Sequence, residues 1–289
     1  MSSTSLLEGS TAEARAKPRR FFDPVHVFGL DVAPLDLDQA VDHIEDLVAA
    51  GEPKYIITAN LNYAMLSHRN KRLENINGDA AFMVADGMPL VLAARLQGTP
   101  LPGRTTGADL VPRLCARAAE RGLSIFLLGG TDEATGAAAA AMRRKWPKLR
   151  IAGVECPMLD ALDEEAMSEL VERIRLAKPD ILLAAFGQPK GEFWIADHYR
   201  RLGGTVCIQI GASLDFIAGA VRRAPGWMQR GGLEWLHRLY SEPRRLLPRY
   251  TQNACFLFGA VARTCYGSYR RKPIAAGRTE EHPRRRIPK

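Results

Sequence analysis

From residue 54 to residue 211 the chain repeats one pattern, a short and nearly continuous apolar run followed by a segment of helical periodicity. The runs are KYIITAN (54–60), AFMVADG (81–87), LSIFLLGG (123–130), LRIAGV (149–154), DILLAAFG (180–187) and TVCIQIG (205–211). A strand that is apolar on both faces cannot leave one face in water. Such runs, separated by helices, imply a parallel sheet with helices on both faces. The expected fold is therefore α/β and Rossmann-like over 23–221, with helices at 107–121, 131–146, 163–177 and 190–202. Upstream, VHVFGLDV (25–32) reads as a further strand. LDLDQAVDHIEDLVAAG reads as a helix with Asp36 near its start and Gly51 just past its end, and 61–78 suits one or two short helices.

Charge divides the chain differently. Residues 1–221 carry 24 Lys and Arg against 28 Asp and Glu, whereas 222–289 carry 16 against 4. A mildly acidic body thus bears a basic C-terminal quarter, which calls for an anionic partner: nucleic acid, acidic lipid or a phosphorylated substrate. A merely solvated tail describes 273–289, expected to be disordered. It describes 222–272 less well, because there the arginines alternate with Trp227, Trp235, Leu239 and Tyr250 and suggest a helical appendage. Residues 1–22 are polar and basic, are expected to be disordered, and lack the apolar core of a secretory signal. No apolar run approaches the roughly 20 residues of a spanning helix. The five cysteines (Cys115, Cys156, Cys207, Cys255 and Cys265) are odd in number and scattered, and they read as reduced thiols of a cytosolic protein.

In an open parallel sheet, ligands bind beyond the carboxyl ends of the strands. Five consecutive run ends here carry small or polar residues: Thr58 and Asn60, Asp86-Gly87, Gly129-Gly130, Gly187-Gln188-Pro189, and Gly211-Ala212-Ser213 with Asp215 beyond. Together they suggest a cleft for a polar ligand. Asp86 ends an apolar run, and desolvation there would raise its pKa toward that of a general base; as an alternative it is a helix N-cap. The Gly129-Gly130 turn could offer backbone N–H groups to a phosphate or simply supply left-handed turn residues. Histidines form no HxH or HExxH pair, so no metal site is expected. GASLD is not a nucleophile elbow, which argues against a serine hydrolase.

These segments resemble the WecG/TagA/CpsF family of bacterial glycosyltransferases (glycosyltransferase family 26). The resemblance runs over about 55–250 and is carried by TANLNYAML (58–66), VADGMPLVLAARLQG (84–98), GRTTGADL (103–110), FLLGG (126–130) and PDILLAAFGQPKGEFW (179–194). Further carriers are the Trp-Pro at 146–147, IGASLDFIAGAVRRAPGWMQRGGLEWLHRL (210–239) and EPRRLLPRY (242–250). The resemblance implies a Rossmann-like domain with a basic helical appendage. It also implies transfer of a sugar from a UDP-sugar to a polyprenyl-diphosphate-linked sugar, for teichoic acid, common antigen or exopolysaccharide. By position it assigns the base to Asp86, the strand-end Thr and Asn to Thr58 and Asn60, and a binding arginine to Arg104; Gly129, Gly130, Gln188, Glu192 and Asp215 are expected to complete the substrate contacts. The lipid diphosphate would meet Arg238, Arg244, Arg245 and Arg249. One departure stands out: where the family carries Gln before Glu192, this chain has Gly191, and Gln188 is the nearest substitute amide.

The implied reaction is a single inverting displacement with Asp86 as base. It is expected to be metal-independent, on the reading that the chain offers no Asp-x-Asp metal motif, and to need no cofactor. The implied location is the cytoplasmic face of the plasma membrane, bound peripherally to its anionic surface, with a homo-oligomer left open. Two rivals are a basic nucleic-acid-binding protein and a nucleotide-dependent oxidoreductase. The first leaves the strand-end cluster unused, and the second lacks the glycine fingerprint after its first strand.

Overall fold

The computed structural model describes residues 22–270, with side chains to Ala262. The ends expected to be disordered, 1–22 and 273–289, fall outside the described residues but for Phe22. The chain opens with β1 (Val25–Val27) and β2 (Leu30–Val32), then α1 (Leu37–Ala50), β3 (Lys54–Ala59), α2 (Leu61–Arg69) and α3 (Lys71–Asp79). Next come β4 (Phe82–Ala85), α4 (Met88–Leu96), α5 (Gly107–Arg121), β5 (Ser124–Gly129), α6 (Asp132–Lys145) and β6 (Arg150–Glu155). The α/β layers finish with α7 (Glu164–Ala177), β7 (Ile181–Ala185), α8 (Lys190–His198), β8 (Val206–Gln209) and α9 (Ser213–Ala218). Three more helices follow: α10 (Gly226–Arg230), α11 (Glu234–Ser241) and α12 (Pro243–Arg270).

Six strands form one parallel sheet in the order β4-β3-β8-β7-β5-β6. Alternate residues of each central strand enter two separate cores. Tyr55, Ile57, Leu182 and Cys207 pack on one face against α2, α3, α4, α7 and α8, while Ile56, Leu183, Val206 and Ile208 pack on the other against α1, α5, α6 and α9. This two-sided burial is why the runs are apolar throughout. Local chemistry sets the helix ends. Asp36 and Gln39 form a reciprocal capping box on α1, and Thr106, Thr131 and Asp163 cap α5, α6 and α7.

The 25–32 segment corrects one expectation. It is a hairpin, not one strand, and its antiparallel pair stands apart from the main sheet. Phe28 and Gly29 both adopt positive φ (49° and 80°), the conformation that a tight two-residue turn requires. The helix expected over 190–202 also shortens, with a 3-10 turn taking over at Tyr199–Leu202.

After α9 the chain folds back over the sheet. Leu246 and Asn253 of α12 are buried, and Phe256 meets Phe28 and His68 with ring centroids 5.9 and 6.0 Å apart. The basic segment is therefore packed onto the body, above the carboxyl ends of the strands.

Candidate active site

The crevice forms at β8. Helix α9, which follows β8, packs on one face of the sheet, whereas α2 and α8, which follow the neighbouring strands β3 and β7, pack on the other. Loops that part in this way open a gap at the strand ends. A cleft of about 580 Å³ occupies it, with Thr58, Asp86, Gly130, Gln188 and Gln209 on its floor and α11 and α12 on its far wall. That volume suits a small-molecule site.

Asp86 follows β4, and its backbone N–H donates to the Ala59 carbonyl at 2.7 Å. The N-cap alternative is not realised: Gly87 stands at the cap of α4, and no side chain bonds the helix end. The carboxyl is left for the cleft. Burial pushes its pKa up to about 6, with Glu234 adding to the rise, while the Asn60 amide, Arg238 and Arg104 oppose it. Asn60 serves twice, since its Oδ1 also accepts the Tyr63 N–H at 3.0 Å and caps α2. Thr58, buried, donates its hydroxyl to the Gln209 carbonyl at 2.8 Å and ties β3 to β8 below the cleft.

Across the cleft stand the arginines. Arg104, Arg238, Arg245 and Arg249 all line it; Arg244 is exposed and does not. Arg249 keeps surface open to the cleft, yet the surrounding protein removes bulk water and holds its pKa below the usual arginine value. Arg104 is already partnered, donating to Glu234 of α11 at 2.9 Å. Glu234 also meets Arg223 at 3.2 Å, and Arg223 bonds Asp109 at 2.7 Å, so this relay pins α11 to α5.

The remaining expected residues divide. Gly130, Gln188 and Asp215 line the cleft, and burial raises the pKa of Asp215 against the pull of Arg238 and Arg245. Gly129 lies below the surface, where an added Cβ would come within 2.8 Å of the Phe186 ring. Glu192 sits in the first turn of α8, 2% exposed and behind the cleft wall. Burial pushes its carboxyl up to about 7, against the pull of its own backbone N–H, the Gln188 amide and Arg249. Neither N–H reaches hydrogen-bonding geometry with the carboxyl oxygens.

Sequence reasoning missed several cleft residues. Asn62 donates to Gln188 Oε1 at 3.0 Å, and Gln209, Glu234 and Asn253 all line the cleft. Gln209 ends β8, so the strand-end rule could have found it. Asn253 lies mid-helix, and only the path of α12 brings it here. The sequence reading also overlooked an Asp-x-Asp, Asp36-Leu37-Asp38. It lies outside the cleft: Asp36 caps α1 and Asp38 bonds Arg113 at 2.7 Å. Among the described residues no cluster of three or more His, Cys, Asp or Glu is arranged to hold a metal ion.

A model of the glycosyl transferase WecG/TagA/CpsF family matches residues 25–270. Two relatives carry the same name, N-acetylglucosaminyldiphosphoundecaprenol N-acetyl-beta-D-mannosaminyltransferase. The Bacillus spizizenii protein is 30% identical over 227 residues, which cover 76% of this chain and 86% of the relative. The protein of Staphylococcus aureus strain MW2 is 33% identical over 227 residues, covering 77% and 86%.

Proposed function

Since the chain belongs to the WecG/TagA/CpsF family of glycosyltransferases, we propose that it transfers an N-acetylhexosamine from a UDP-sugar to a polyprenyl-diphosphate-linked sugar, in making a cell-surface polysaccharide. The supporting observation is one cleft that sets a carboxylate of raised pKa, Asp86, opposite Arg104, Arg238, Arg245 and Arg249. The relatives' name specifies an N-acetylmannosaminyl group and an undecaprenyl-diphosphate acceptor, and both suit this arrangement.

Asp86 accepts the proton of the acceptor hydroxyl as its oxygen bonds to the anomeric carbon. The bond from that carbon to the donor's diphosphate breaks, and UDP leaves with the electron pair. One in-line displacement inverts the anomeric centre. Charge gathers on the leaving diphosphate, and preorganised cationic donors favour it most in a cleft from which bulk water is excluded. Arg104 and the Gly130 backbone meet the donor side, while Arg238, Arg245 and Arg249 meet the lipid diphosphate, with no metal ion taking part. The acceptor is confined to a membrane, so the enzyme works peripherally on the cytoplasmic face. Among the described residues no helix is long and apolar enough to cross a bilayer.

The test is a panel of UDP-sugars with a synthetic polyprenyl-diphosphate-linked N-acetylglucosamine, scored by UDP release with and without EDTA. UDP release that depends on the lipid acceptor, and survives EDTA, is the expected result. Release from no UDP-sugar would overturn the assignment; loss in EDTA with recovery on Mg²⁺ or Mn²⁺ would overturn the metal-free step.

A further inference from the structure

Buried polar atoms are normally paired, because an unpaired one forfeits its hydration with nothing in return. Among the described residues eight buried side-chain N or O atoms lack a partner, and four of them are acceptor oxygens of three residues: both Oε atoms of Glu192, Oε1 of Gln209 and Oδ1 of Asn253. These residues come from different parts of the chain and converge. Gln209 and Asn253 line the same cleft as Gln188 and Arg249. Glu192 lies beside Gln188 and within the electrostatic reach of Arg249, one helical turn before Asn253 on α12.

The Gln209 amide has a fixed orientation. Its Nε2 donates to the Phe186 carbonyl at 2.5 Å, so the atom left without a partner is the oxygen. Gly191 explains how the side chain fits. A Cβ at 191 would overlap the Gln209 carboxamide, within 2.5 Å of its Cδ. Gly191 thus leaves room for an amide that arrives from β8, and Gln209, not Gln188, fills the space over residue 191.

A set of acceptors without donors suits a ligand edge rich in O–H or N–H groups. We propose that Gln209 and Asn253 form a subsite for the hydroxyl and acetamido groups of a sugar ring, backed by the buried Glu192 carboxyl behind the cleft wall, with Gln209 as a specificity-determining residue that Gly191 admits. The subsite rests on the proposed sugar transfer, and the ring it holds belongs either to the nucleotide-linked donor or to the lipid-linked acceptor. A site built to bond a hydroxyl rejects an analogue that lacks it, because its own acceptor is then left unpaired.

Gln209→Leu and Asn253→Leu keep volume and remove the acceptors. Each is expected to raise KM about 10-fold or more for one substrate, to leave kcat within about threefold, and to leave the pH profile unmoved. A rise confined to the UDP-sugar assigns the donor ring; a rise confined to the lipid substrate assigns the acceptor ring. Wild-type enzyme should reject the matching deoxy-sugar, and Gln209→Leu should accept it about as well as the parent sugar. Gly191→Ala should weaken binding in the wild type and be tolerated beside Gln209→Gly. Titration calorimetry with UDP-sugars and free N-acetylhexosamines separates the two layers. If no transfer occurs with any donor but Gln209→Leu still weakens sugar binding, the reaction assignment fails and the subsite stands. Folded Leu variants with native KM values and native deoxy-sugar preference would overturn the subsite, leaving its oxygens to water alone.

Discussion

At the scale of single residues, Asp86 carries the sharpest expectations. A base must be ionised to work, so kcat/KM should rise with pH through about 6 and level off above it. Asp86→Asn should lower kcat by roughly 10²–10⁴, the usual range for losing such a group, with folding intact by circular dichroism. The same burial has a thermodynamic consequence. A carboxyl whose folded pKa of about 6 exceeds its ordinary 3.8 holds its proton more tightly in the folded chain. Stability therefore declines as pH rises from about 4 to about 6, and the cost is complete above that window. At about 1.4 kcal/mol per unit this amounts to about 3 kcal/mol before the cleft water screens it. Asp86→Asn should thus be the more stable protein by about 1–2 kcal/mol at pH 8 and no more stable than wild type at pH 4, as urea titrations at the two pH values would show. A variant that lost activity and gained no stability at pH 8 would mean that the wild-type carboxylate is not desolvated.

At the scale of elements, α11 and α12 decide whether the cleft is closed. Glu234 holds Arg104 and Arg223 from above, with all three side chains no more than 25% exposed. Glu234→Ala leaves two inward guanidinium groups short of a partner and should destabilise the fold by about 1–3 kcal/mol. It should also raise KM for the lipid acceptor, because α11 loses its tie to the body. The outer surface of the same helices is apolar where solvent would favour polar residues: Tyr240 is 89% exposed and Phe258 75%, with Leu236 and Leu247 also open. Aromatic and aliphatic side chains among arginines suit the boundary between headgroups and acyl chains. Replacing Tyr240 and Phe258 by Ser should cut binding to anionic liposomes at least tenfold in a flotation assay. Turnover of a short, water-soluble acceptor should be unchanged. If liposome binding stayed at the wild-type level, these side chains would have no membrane role.

At the scale of the whole molecule, the acidic body and basic appendage make membrane binding a matter of charge as well as area. Each basic residue near an anionic surface contributes on the order of 1 kcal/mol, and salt screens it. Binding to anionic vesicles should therefore fall steeply between about 0.05 and 0.5 M NaCl, while binding to neutral vesicles stays weak throughout. Salt-independent binding would leave the apolar surface as the sole anchor. Much of this molecule was legible beforehand, and for a local reason. Strand runs, the helix start at Asp36 and the terminating Gly51 act within a few residues of one another, so their chemistry is written in adjacent sequence. The strand-end rule likewise located Thr58, Asn60, Asp86 and Gln188 together, because a parallel sheet aligns its carboxyl ends. Three matters were decided only by tertiary packing. Gly87, not Asp86, takes the end of α4 and frees the carboxylate; Glu234 captures Arg104 across 130 positions of chain; and α12 brings Asn253 into the cleft that Gln209 lines from β8. Contacts between such distant segments depend on how whole elements cross and pack, and no periodicity or cap within either segment encodes them.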